Sequence, residues 1–100
     1  MEVPFEAVPF DIRASDEFEI SWQKYSYEVG PRAAEFDQGI LAGVEILKRK
    51  GPGFGRRHGD ASFSILVMEG YQLVYEWSTE RDEHGNAIYN HLDLLPIERV

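Results

Sequence analysis

The sequence predicts an α+β domain of two layers, an antiparallel sheet of three to five strands packed against one main helix at about residues 31–50. Two patterns and one length argue for it. Between Pro31 and Lys50 apolar side chains recur at three- and four-residue steps, and between Ala61 and Leu95 three β-rich runs are separated by turn-forming residues. One hundred residues hold a single hydrophobic core. The whole chain, 1–100, therefore reads as one domain, with 1–16 as an extended edge segment.

The first ten residues carry Pro4 and Pro9 around Phe5, Val8 and Phe10. Proline has no ladder donor, so this stretch suits a sheet edge and not its middle. From Glu17 the chain alternates, with Phe18, Ile20 and Trp22 on one side and Glu17, Glu19, Ser21 and Gln23 on the other. That period of two predicts a half-buried strand over 17–29 that joins the sheet edge. After Trp22 the phase slips, and Tyr25, Tyr27 and Val29 hold the apolar parity. A bulge near Gln23 or Lys24, or a short helical break using Trp22, Tyr25 and Val29, has to intervene.

Gly30-Pro31 then opens the main helix, since proline suits a first turn whose N–H groups are unpaired anyway. Ala33, Phe36, Ile40, Val44 and Leu47 form its apolar stripe. Lys48, Arg49 and Lys50 favour its C-terminal end electrostatically, and Gly51-Pro52 stops it. Gly39 and Gly43, one turn apart, admit the close approach of a strand or of a second copy of the chain. Ala61–Met68 and Tyr71–Ser78, joined by Glu69-Gly70, form a tight hairpin, with Tyr71, Leu73, Tyr75 and Trp77 on one face. TERDEHGN is a polar turn, and Ala87–Leu95 returns as a further strand before Pro96.

Charge is unevenly spread. Residues 1–47 hold ten acids against three bases, 48–58 five bases and no acid, and 59–100 eight acids against two bases, for a net charge of −8. A basic island in an acidic body disfavours nucleic acid except through 48–58, and a basic protein is the better electrostatic partner. Without cysteine there is no disulfide, no thiolate nucleophile and no cysteine-ligated zinc. No apolar run is long enough to span a bilayer and the N-terminus lacks a secretory pattern, so the expectation is a cytoplasmic protein with no membrane contact.

Motifs that carry chemistry are sparse. KRKGPGFGRRHG (48–59) joins Lys48, Lys50, Arg56, Arg57 and His58 to four glycines, a composition able to grip an anion. It matches neither a phosphate-loop nor a dinucleotide spacing, and a flexible connector whose first three bases cap the helix is the plainer reading. Tyr89, His91 and Asp93 share a strand face, where the carboxylate is placed to orient the imidazole, though a polar strand face is the plainer reading. His84 falls in a turn. Asp82, Glu83 and His84 lack the alternation of a calcium loop, and no serine sits in a nucleophile elbow. Neither cofactor nor metal is expected, and no catalytic set is assigned. The charge balance points to a small acidic protein-binding module, an inhibitor or immunity-type protein that occupies a basic partner in a bacterial or phage conflict system. Tyr25, Tyr27, Glu28, Glu76, Tyr89 and Asp93 are its candidate contact residues. Dimerisation through an edge strand or the Gly39/Gly43 face is a further possibility.

The order of elements, with SYEVGPRAAEF and EGYQLVYEW, resembles the RelE/ParE-like toxins of bacterial toxin–antitoxin systems over about Tyr25–Leu95. The resemblance implies mRNA cleavage or gyrase inhibition as the alternative function. In ribonuclease members an arginine that stabilises the cleaved phosphate holds the position of Gln72, and a His or Tyr acts near the chain end. On that reading Arg56, Arg57 and His58 face phosphate and His91 is the acid-base group. The chain departs from the pattern at Gln72, in its acidity, and in a helical part shorter than the family's helical hairpin.

Overall fold

The computed structural model describes residues 9–100. It is an α+β fold in which a five-stranded sheet carries two helices on one face. In chain order the elements are β1 (Phe10–Ala14), α1 (Asp16–Glu28), a 3-10 turn (Gly30–Arg32), α2 (Ala33–Lys50), a second 3-10 turn (Pro52–Phe54), β2 (Arg56–Arg57), β3 (Ser62–Met68), β4 (Tyr71–Arg81) and β5 (Ala87–Arg99). The strand order is β1-β5-β4-β3-β2. No described helix is long and apolar enough to cross a membrane.

The sheet is mixed, where an antiparallel one was expected. β1 runs parallel to β5, pairing Phe10 with Asn90 and Ala14 with Leu94, while all other neighbours are antiparallel. An edge segment was expected at 1–16. Its last part forms β1, and residues 1–8 lie outside the described residues.

The largest correction concerns 17–29, which is helix up to Glu28 with Val29 as its C-cap. Ser15 caps α1, its Oγ accepting from the Phe18 amide at 3.1 Å. Asp16, Glu17 and Glu19 occupy the first turn, where the helix dipole favours acids. Phe18, Trp22, Tyr25 and Val29 follow the helical period and pack on the core. Ile20, which the alternating pattern sent inward with Phe18, is 64% exposed. The apparent phase slip after Trp22 was the 3.6-residue period showing through.

α2 follows the expected stripe, burying Phe36, Ile40, Gly43 and Leu47. It lies on β3, and α1 lies on β5. A Cβ at Gly39 would fall 2.2 Å from the Val67 carbonyl oxygen, and one at Gly43 would fall 3.2 Å from Leu73 Cδ2. Both glycines are therefore used to bring the helix onto the sheet, and that face is not available to a second copy.

Phe18, Phe36, Ile40, Leu47, Leu73, Tyr75, Leu92, Leu94 and Ile97 form the core between the layers. β5 does not stop before Pro96. It runs on to Arg99, and the Ile97 amide donates to Ser21 Oγ on α1 at 2.9 Å while that hydroxyl donates to the Phe18 carbonyl at 2.7 Å. The register shift between Gln72 and Val74 accommodates the proline. The Glu69-Gly70 hairpin is as expected, with Gly70 at φ 88°.

Candidate functional site: an acidic helical layer and an ion-paired sheet face

The sheet has one face under the helices and one open face. The predicted contact residues divide between them. Tyr25, Tyr27 and Glu28 lie on α1. Register places Glu76 opposite Asp93, with Tyr89 further along β5, on the open face. They do not form one surface.

On the open face most charge is already paired. Arg13 forks onto Asp93 at 2.7 and 2.9 Å, so Asp93 serves Arg13 and does not orient His91. His91 instead meets β1 and β4: its Nδ1 lies 3.0 Å from Asp11 Oδ1, its Nε2 lies 4.0 Å from Glu80 Oε2, and Tyr89 packs on it with ring centroids 5.0 Å apart. These pairs clasp the five-residue edge strand β1 onto β5. No group of His, Asp and Glu among the described residues is arranged to hold a metal.

The basic island is split by its own backbone. Arg56 and Arg57 are consecutive in β2 and project to opposite faces. Arg57 donates to the Asp60 carbonyl at 2.9 Å, His58 Nε2 sits 3.1 Å from Glu98 Oε1, and Lys48 reaches Glu45 at 3.4 Å. Gly55 serves packing: a Cβ there would strike the Tyr75 hydroxyl and would fall 2.9 Å from the Ser64 carbonyl. The Gly55 amide donates to Tyr75 Oη at 3.0 Å and is not offered to an anion. Burial raises the Tyr75 pKa, keeping the phenol protonated, and the Gly55 bond opposes this more weakly. Arg56 lines a depression of about 500 Å³ with Ser64, Leu66, Gln72 and Val100. His91 is three strands across and four residues along from Arg56, on the order of 20 Å in sheet spacings. The structure does not bring the alternative catalytic set together. His84 is in the turn closed by Asp82, whose pKa is lowered by the amides of Asn86 and His84.

The helical layer differs. α1 carries four acids and one base, Lys24. Glu28 pairs with Arg99 at 2.8 Å, and Lys24 lies over the Tyr25 ring. Asp16, Glu17 and Glu19 are exposed and meet no cation among the described residues. Of the tyrosines expected at a surface, Tyr27 is 90% exposed, but Tyr25 is packed on Tyr71 at 5.4 Å. Between α1 and α2 runs an open groove of about 720 Å³ lined by Glu19, Trp22, Tyr27, Ala33 and Asp37 among others. The Trp22 indole N–H donates to Asp37 Oδ1 at 2.7 Å. Sequence reasoning missed Glu19, Trp22 and Asp37 because the strand reading put Trp22 in the sheet core. Their signal was the i, i+3, i+4 spacing of Glu19, Trp22 and Gln23.

No protein-family model, curated protein or solved structure matches the chain.

Proposed function

We propose that the chain is a small acidic protein-binding module that occupies a basic partner, as an inhibitor or immunity-type protein does, and that it binds through the helical layer. One contrast supports this reading. On the open face Asp93 is held by Arg13 and Asp11 and Glu80 face His91, whereas Asp16, Glu17 and Glu19 on α1 meet no cation among the described residues. Uncompensated charge steers association with an opposite charge, and the exposed Tyr27 beside it supplies an aromatic anchor. Blockade of this kind needs no catalytic group. The test is affinity isolation of the native partner with the wild-type chain and with an Asp16→Asn/Glu17→Gln/Glu19→Gln variant. The reading expects one basic protein, retained by the first, lost by the second and released by salt. Retention by both rejects it.

A second reading is a RelE/ParE-like toxin, favoured by two observations. The α1–α2 pair supplies a helical hairpin, and Arg56 shares a depression with Gln72, so a cation stands beside the position that holds arginine in that family. Expression in a host without an antidote separates the readings: a toxin arrests growth, and an inhibitor leaves it unchanged. Loss of arrest on Arg56→Ala ties the activity to that depression.

A further inference from the structure

Along α1, Glu19, Trp22, Gln23, Ser26 and Tyr27 recur at helical spacing and form one wall of the inter-helix groove; Ala33 and Asp37 belong to the other. Ile20, at 64% exposure, stands two turns from Tyr27 on α1, and Leu41, at 56%, stands one turn beyond Asp37 on α2, so apolar surface continues past the groove. The trough between two antiparallel helices is a shape that a third helix fills by ridges-into-grooves packing. Trp22 spends one Asp37 oxygen, and the other makes no hydrogen bond among the described residues. Glu19 is likewise unpaired. The trough therefore offers an indole ring between two carboxylates, and no cation lines it.

We propose that this groove is the docking site for an amphipathic helix of the partner that carries arginine on its docking face, with one guanidinium stacked on Trp22 and shared between Asp37 and Glu19. The inference rests on the acidic-module reading and names the chemistry of its ligand. Arginine fits better than lysine because a planar guanidinium stacks on an indole and forks onto two carboxylates, whereas an ammonium is a compact, strongly hydrated point charge.

The test titrates the full chain with a synthetic amphipathic helical peptide bearing leucine and arginine on one face, and with versions in which arginine is replaced by lysine or by glutamate. The reporter is the indole N–H resonance of Trp22, assigned by comparison with Trp77→Phe. The arginine peptide should shift that resonance saturably, the lysine peptide should bind several-fold more weakly, and the glutamate peptide should have no effect. Asp37→Asn keeps the acceptor for Trp22, and Glu19→Gln alters an exposed side chain, so both should fold; each should weaken the arginine peptide by about tenfold. Equal binding of the arginine and glutamate peptides overturns the proposal, as does indifference to both variants. If cationic peptides bind but shift open-face resonances such as Glu76 and Glu80, both the groove and the helical-layer site fall, and only the capture of a basic partner survives. If no cationic peptide binds while affinity isolation still yields a basic partner that needs the α1 acids, only the helix-in-groove inference falls.

Discussion

The hydroxyl of Tyr75, in the middle of β4, accepts the backbone N–H of Gly55 and at the same time donates to the carbonyl of Pro52. Through this one oxygen the sheet holds the connector between α2 and β2 in place. Tyr75→Phe leaves an amide and a carbonyl without partners in a largely buried position, and should cost about 1–3 kcal/mol of unfolding free energy in a denaturant titration. The wild-type chain should also lose stability in alkali. Its folded phenol pKa is raised, so the contribution is complete below the unfolded tyrosine value near 10 and declines as pH climbs from there through the folded value. Tyr75→Phe should lack that decline.

Ser21 stands between α1 and the end of β5. Ser21→Ala orphans the Ile97 amide, which lies beside Pro96 and has no strand partner to fall back on. The expected loss is about 1–3 kcal/mol, and hydrogen exchange at Ile97 should accelerate more than at Leu92 or Leu94.

At Gly39 two effects oppose each other. Alanine inside a helix ordinarily stabilises by about 0.5–1 kcal/mol, but here its Cβ would meet the Val67 carbonyl at 2.2 Å and push the helix off β3. Overpacking wins, and Gly39→Ala should destabilise by about 2 kcal/mol or more. At Gly53 a Cβ would meet nothing within 4 Å and φ is not positive, so alanine there should fold normally.

Phosphate provides a direct check on the glycine-rich connector. Arg56 and Arg57 diverge, and the Gly55 amide is already engaged by Tyr75. Inorganic phosphate should therefore raise the melting temperature no more than sodium chloride of equal ionic strength. A specific rise abolished by Arg56→Ala would favour the toxin reading.

The α2 stripe, the Glu69-Gly70 hairpin and the Asp82–Asn86 turn were legible in the sequence because each is fixed by local spacing or by one glycine. α1 was not legible as a helix. Phe18, Ile20 and Trp22 satisfy a period of two as well as Phe18, Trp22, Tyr25 and Val29 satisfy 3.6, and only the Ser15 cap with its acidic first turn breaks the tie. The parallel pairing of β1 was hidden too, since it depends on where two helices return the chain. The same ambiguity concealed the groove: once 17–29 is helix, Trp22 moves from the sheet to a helix face and meets Asp37, fifteen residues away. Charge composition showed that acids were in excess, but only tertiary pairing separates Asp93, held by Arg13, from Glu19, which meets no cation among the described residues.

The uncompensated negative charge of α1 is placed to act on the partner. The most direct measurement is the affinity of the isolated partner, as a function of salt, for the wild-type chain, for Asp16→Asn/Glu17→Gln/Glu19→Gln and for the open-face pair Glu76→Gln/Glu80→Gln. Affinity should drop by tenfold or more and its salt dependence flatten in the first variant, with the second indistinguishable from wild type. Unaltered affinity in the α1 variant, or loss confined to the open-face pair, would contradict it.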